Sequence, residues 1–415
     1  MRRASHILLI TIAFFLTSCA NYKLNIDKSI TNPTPELPTD LEITHTMYLI
    51  GDAGNSEMGE VSPALKFFGE QLKNAPKKSS VIYLGDNIYP GGFPKKKDPS
   101  RELAEHRINV QLDVLKEYEG KAYVLPGNHD WRSGLKRLNK LEEYMEEYKD
   151  VKIKWLPDDG CSGPEVVEVN ENLVIIFIDS QWWLMNWDNE PELNSGCENK
   201  SKQNFRYFFE EAMKKHRRKN VVIAMHHPLY SNGPHGGRFT VKDHIWPLTQ
   251  VNPDLWIPLP GVGTVFSFLR STIGSRQDIA HPELKSLRKA LEASAKKNGS
   301  FIFAAGHEHN LQLFEKGKQA YVVSGAGSKL SAAGKGNNAT MTYGHSGHSV
   351  MKFYEDGSVW IEFWIPQDDG STGKMVFRKK IKDKLSALDV EEQESFPNYE
   401  DESPTMTIKL DNEPR

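Results

Sequence analysis

Five short stretches, in fixed order along the chain, each put a side chain able to bind metal just after an apolar run that reads as a buried β-strand. They are Gly51-Asp52, Gly85-Asp86-Asn87-Ile88-Tyr89, Gly127-Asn128-His129-Asp130, His226-His227-Pro228 and Gly306-His307-Glu308-His309. The runs before the first four, at 47–50, 81–84, 122–125 and 221–224, are stopped by Gly, Pro or His, as buried strands are, and 301–304 is a fifth. A ligand at a strand end is held by a rigid sheet while its loop leaves the metal open. Helical stretches at 101–118, 135–148, 202–217 and 283–297 alternate with the strands, which gives an α/β class. By size, 415 residues could hold two domains, yet the ligands spread from Asp52 to His309, so one large domain must enclose them.

The ligand set is mixed oxygen and imidazole: Asp52, Asp86, Tyr89, Asn128, His226, His307 and His309. It suits Fe, Mn or Zn better than Ca or Mg, and it can fill two ions if one carboxylate bridges. Two cations roughly 3.5 Å apart clamp a phosphoryl group, acidify a bound water to hydroxide and neutralise charge on the leaving oxygen. The constellation therefore reads as phosphoester hydrolysis. Singly each motif is weak, since a loop histidine is ordinarily surface decoration; the joint order carries the reading. Among the side chains left over, His129 is placed to stabilise the phosphoryl charge or protonate the leaving alkoxide, with Asp130 orienting its imidazole.

Together these stretches resemble the calcineurin-like metallophosphoesterases, from about residue 44 to 381, and Tyr89, three residues after Asp86, is similar to the purple acid phosphatase branch. Gly306-His307-Glu308-His309-Asn310-Leu311-Gln312 and Ser324-Gly325-Ala326-Gly327 are similar to the small tartrate-resistant subgroup. The resemblance implies a four-layer αββα sandwich of two mixed β-sheets flanked by helices. It implies Asp52, Tyr89 and His309 on a ferric ion, Asn128, His226 and His307 on a divalent ion (Fe, Zn or Mn), and Asp86 between them. A phenolate is a hard donor that favours Fe(III), and the family's purple colour comes from that bond. The implied activity is acid phosphatase-like hydrolysis of phosphate monoesters by metal-bound hydroxide, on a phosphorylated small molecule or phosphoprotein. Relatives in the wider family cut diesters, nucleotides and diphosphates with a similar ligand set, and a phospho-ligand-binding surface lipoprotein without turnover is the reading from another class. In the tartrate-resistant enzymes a His at the offset of His235 sits beside the substrate, which makes His235 a further candidate. The chain departs from the pattern at Ala53, Gly54 and Asn55, where an aromatic and two glycines are usual, and at His227 and Glu308, where Tyr and Asp are usual. The first departure alters the pocket wall while leaving the ligand Asp52, and neither His227 nor Glu308 falls at a ligand position in the family.

The amino terminus sets the expected location. Arg2 and Arg3 precede an apolar run at 7–16, and Leu16-Thr17-Ser18-Cys19 resembles the bacterial lipobox. Residues 1–18 are therefore expected to be a signal peptide, Cys19 the acylated first residue and 19–42 a flexible tether to an extracytoplasmic domain at 43–382. Cys161 and Cys197 then remain as a pair outside the cytosol, and a disulfide between them is expected. Residues 383–415 read as an acidic, disordered tail. An apolar insertion at 244–281 reads as extra core, a lid or a membrane-facing patch. The whole chain carries a formal charge of -3; without residues 1–18 it loses two Arg and no acid, leaving 50 basic against 55 acidic residues, or -5. That balance argues against nucleic acid as a structural partner.

Overall fold

The computed structural model describes residues 20–187, 190–250 and 254–384. The expected signal peptide, Cys19 and all but the first two residues of the acidic tail lie outside them. In chain order the first strands are β1 (Asn25–Ile26), β2 (Ile43–Ile50), β3 (Ser79–Tyr83), β4 (Lys121–Val124) and β5 (Ile153–Trp155). Next come β6 (Glu165–Asn170), β7 (Leu173–Phe177), β8 (Asn220–Met225) and β9 (Ile302–Ala305). The last are β10 (Leu311–Lys316), β11 (Gln319–Ser324), β12 (Ala339–Tyr343), β13 (His348–Tyr354), β14 (Val359–Gln367) and β15 (Thr372–Lys382). The helices between them are α1 (Pro63–Leu72), α2 (Arg101–Asp113), α3 (Leu135–Glu146), α4 (Ser180–Leu184), α5 (Lys202–Lys215), α6 (Val241–Ile245), α7 (Pro260–Thr272) and α8 (Pro282–Asn298).

The strands form two mixed sheets, ordered β15-β14-β13-β2-β3-β4-β5 and β1-β12-β10-β11-β9-β8-β7-β6. β2 to β5 are parallel, as are β7, β8, β9 and β11. Alternation along the strands divides the core in two. Met47, Leu49, Ile82 and Leu84 point between the sheets, where they meet Val222, Ala224, Ile302 and Ala304 of the other sheet. Tyr48, Ile50, Val81 and Tyr83 point outward under helix residues such as Leu65, Phe68 and Ile108. Burial on both faces explains why these strands read as continuous apolar runs, and it gives the expected αββα sandwich. The carboxyl ends of β2, β3, β4, β8 and β9 all carry a predicted ligand, so the two sheets together define the site.

The expected flexible tether over 19–42 is corrected for its described part, residues 20–42. Asn21 and Ala333 exchange main-chain hydrogen bonds at 3.0 Å, β1 pairs antiparallel with β12, and the Arg378 N–H donates to Pro33 O at 2.8 Å. Leu24, Ile26 and Ile30 pack against the inter-sheet core. The segment is a strap tied mainly through its backbone, which a composition poor in apolar residues does not reveal. The insertion likewise adds little core: among the described residues from 244 to 281 no large apolar side chain is buried. Cys161 and Cys197 are joined by a disulfide, with Cα atoms 5.6 Å apart.

Candidate metal centre

Each ligand loop turns sharply off its strand. Asp52, Asp86 and His307 adopt left-handed backbone at φ 56°, 55° and 67°, a costly conformation for residues with a Cβ and one that gathers at functional sites. Glycine lets the loops meet: a Cβ on Gly127 would lie 2.3 Å from both the backbone N and Oδ1 of Asp86.

Two clusters of polar atoms result. In the first, Asn128 Oδ1 is 3.0 Å from both His226 Nε2 and His307 Nδ1, and those nitrogens are 3.2 Å apart. The other ring nitrogens face main-chain carbonyls, His226 Nδ1 at 2.8 Å from Leu84 O and His307 Nε2 at 2.9 Å from Gln277 O. A carbonyl only accepts, so in the neutral rings those nitrogens carry the protons and the facing nitrogens carry lone pairs. Three acceptors thus converge with no hydrogen between them, an arrangement that a cation relieves. In the second cluster, Tyr89 OH lies 2.8 Å from Asp52 Oδ1, 2.9 Å from Asp86 Oδ2 and 3.2 Å from His309 Nε2, one hydroxyl hydrogen for two carboxylates. Asp86 joins the clusters: its Oδ2 meets Tyr89, and its Oδ1 lies 3.4 Å from His226 Nε2. All seven predicted ligands are thus gathered at one place.

Burial sets the electrostatics. It pushes the Asp52 carboxyl up, with Asp86 adding to the effect, although His226 opposes it. For Asp86 burial also pushes up, but His226, His129 and the His129 N–H outweigh it and the carboxyl is held low. Burial, Asp52 and Asp86 raise the Tyr89 phenol well above its ordinary value. Burial drives His307 and His309 well below theirs, which favours the neutral imidazole a metal takes. Two carboxylates, a phenol and neutral imidazoles, buried except for the half-buried His309, form a donor set that cations fit and that is costly without them.

His129 sits at the edge of this set, its ring 4.4 Å from that of Tyr89. Its Nδ1 donates to Pro90 O at 2.6 Å, and its Nε2 lies 4.0 Å from Asp86 Oδ2. The expectation that Asp130 orients His129 is corrected. Asp130 accepts hydrogen bonds from the Gly127 N–H at 2.7 Å and from the Asn87 N–H and amide at 3.0 Å, and so fastens two ligand loops together from behind. His235 packs at a tilt of 39° against His307 with centroids 4.0 Å apart, and its Nδ1 donates to Asp278 Oδ1 at 2.8 Å. His227 stands beside His226 and His307, yet its nitrogens are spent on Ser180 Oγ at 2.8 Å and Gln277 Oε1 at 2.5 Å, so it props the ligands and is not one of them.

Three residues of the site were not foreseen. Gln277 and Asp278 come from the insertion, and no motif marks them. Lys329 lies just past the Ser324-Gly325-Ala326-Gly327 stretch, its ammonium 4.2 Å from the centre of the Tyr89 ring. Burial lowers its pKa while Asp52 and Asp86 raise it.

Two sheets with a metal-ready site at their parallel strand ends define a metallophosphoesterase-type protein. The family model described as calcineurin-like phosphoesterase matches residues 45–257, just over half of the chain, and the chain belongs to that family. Among curated proteins it is similar to purple acid phosphatase 17 of Arabidopsis thaliana, 22% identical over 67% of this chain and 65% of the relative. It is also similar to purple acid phosphatase 7 of the same plant, 24% identical over 43% of this chain and 52% of the relative. The chain therefore spans less than two thirds of those relatives' length. Among solved structures, "GAP50 the anchor in the inner membrane complex of Plasmodium" shares the fold with a TM-score of 0.54 at 16% identity, covering 86% of this chain and 96% of that one.

Proposed function

We propose that this protein hydrolyses phosphate monoesters in the manner of an acid phosphatase, acting outside the cytoplasm from a lipid anchor at Cys19. The observation that carries the reading is the pair of acceptor clusters joined through the two oxygens of Asp86. His226, His307 and Asn128 would hold a divalent ion (Fe, Zn or Mn), and Asp52, Tyr89 and His309 would hold Fe(III), with Asp86 shared. The cations supply Lewis acidity toward the phosphoryl oxygens and toward water.

The chain's own residues do the rest. Pro90 O fixes the His129 ring so that its Nε2 faces the cluster side; burial lowers the pKa of the ring, so it is the imidazolium formed at acid pH that passes its Nε2 proton to the leaving oxygen. The Lys329 ammonium, partly buried over Tyr89, offsets charge on the phosphoryl group. Asp278 holds the His235 ring against His307, so that His235 is positioned before substrate arrives.

The test is phosphate release from an aryl phosphate monoester by the purified chain loaded with iron and zinc, beside His226→Ala and an aryl diester as alternative substrate. Turnover of the monoester that disappears in His226→Ala is the expected result. Turnover of the diester alone would move the assignment to phosphodiesterases, and no turnover with both metals bound would leave a phospho-ligand binder.

A further inference from the structure

Helix α7 is amphipathic with its polarity reversed. The two residues it buries against the protein are small, Gly263 and Ser267, and a Cβ on Gly263 would lie 2.3 Å from His244 O. Its large apolar residues face outward, with Val262, Val265 and Phe268 exposed at 60%, 58% and 59%. Among the described residues, ten of the sixteen exposed large hydrophobic side chains fall between 241 and 273, so this is a patch and not scatter. A packed, water-facing helix would show the opposite distribution.

What covers the patch follows from where the chain enters. The Ala20 N–H donates to Phe239 O at 3.0 Å, two residues before α6 begins, and Phe239 lies beneath the Arg270 guanidinium of α7 at 5.5 Å. Cys19 is the residue before Ala20. Because residues 21–42 are strapped to the body, an acyl group on Cys19 has no tether to lift the domain away from the bilayer. The patch also has the border of a membrane-surface element. Trp246 and Trp256 pair with centroids 5.7 Å apart, and the Lys242 ammonium lies 4.3 Å from the Trp256 ring. Indole and ammonium groups favour the headgroup layer, where an apolar helix face sinks in beside them. α7 has 13 residues, roughly 20 Å of helix, and no helix among the described residues is long and apolar enough to cross a membrane.

We infer that the outer face of α7, with Trp256, lies in the headgroup layer of a lipid bilayer as a second anchor beside Cys19. An acyl chain fixes only that the protein stays on the membrane. The helix fixes how it sits, with the His235 loop, four residues before Phe239, toward the surface. The inference rests on the reading of Cys19 as acylated, and the test separates the two.

The full chain is purified in detergent and reconstituted into vesicles of phosphatidylethanolamine and phosphatidylglycerol carrying brominated acyl chains. Trp256 fluorescence is obtained as the difference between the unsubstituted protein and Trp256→Phe, and the mass of the amino-terminal peptide reports acylation independently. Quenching of Trp256 by the brominated lipid, lost in Val265→Ser/Phe268→Ser, is the expected result; both substitutions are on exposed positions, and retained aryl phosphatase activity reports an intact fold. Quenching without an acyl group on Cys19 would uphold the docking face and remove the acyl anchor. Absence of quenching in acylated protein would overturn the inference, as would burial of Trp256 in a dimer that persists without vesicles.

Discussion

His226 Nε2 and His307 Nδ1 face each other across 3.2 Å, each with its remaining ring nitrogen donated to a main-chain carbonyl. The backbone has therefore fixed both tautomers before any ion arrives, and the two lone pairs repel unless something positive lies between them. His307→Ala should remove the ion held by this pair together with most of the activity. Elemental analysis should show one metal fewer per chain, and kcat/KM should fall by more than about 100-fold, beyond the loss usual for groups that only support a ligand. A variant with full metal content and full turnover would show that His307 is a packing residue.

Tyr89 makes a different prediction, because its phenol is held protonated by burial and by two carboxylates. Only a strongly charged cation beside it would draw the proton off. Iron-loaded protein should therefore be coloured by a phenolate band in the visible spectrum, and Tyr89→Phe should be colourless while still binding iron through Asp52, His309 and Asp86. If the spectrum survives the substitution, the ferric ion is not at Tyr89.

Much of this site was legible in the sequence because strand ends and ligand loops are local patterns. An apolar run, a glycine that permits close approach and a ligand follow one another within a few residues at Gly85-Asp86 and Gly127-Asn128. The supporting contacts were not legible for the opposite reason. Gln277 and Asp278 reach His307 and His235 from an insertion with no motif of its own, and tertiary packing alone brings them there. Asp130 misled because neighbours in sequence need not face one another: it opens a 3-10 turn over Asp130–Ser133 and points back at Gly127 and Asn87. The strap at 20–42 was hidden because composition does not report main-chain pairing.

The disulfide closes a long loop, Cys161 and Cys197 being 36 residues apart in sequence. By loop-closure entropy such a cross-link stabilises by about 3 to 4 kcal/mol. Cys197→Ser should lower the unfolding free energy by that amount, read from denaturant melts. The metal content should be unchanged, since both cysteines lie apart from the ligand loops in sequence. A loss of metal in the variant would instead couple the bridge to the site.

Asp278 ties acid stability to the geometry of His235. Burial alone would push its carboxyl up, but hydrogen bonds and charge from His235 and Arg270 outweigh burial and hold it well below the ordinary value. A carboxyl held low in the folded state stabilises the protein at pH values above its unfolded pKa, near 4. That contribution fades as the pH falls from there toward the depressed folded value. Asp278→Asn should therefore cost stability near neutral pH, about 3 kcal/mol for a buried ion pair that loses one partner. The gap between the two proteins should close progressively in thermal melts below about pH 4. Because the amide also releases His235, kcat on the aryl phosphate should drop by about tenfold while both metals stay bound. A stability gap that stays constant down to strongly acidic pH would show that Asp278 acts through packing, and unchanged kcat would remove His235 from the reaction.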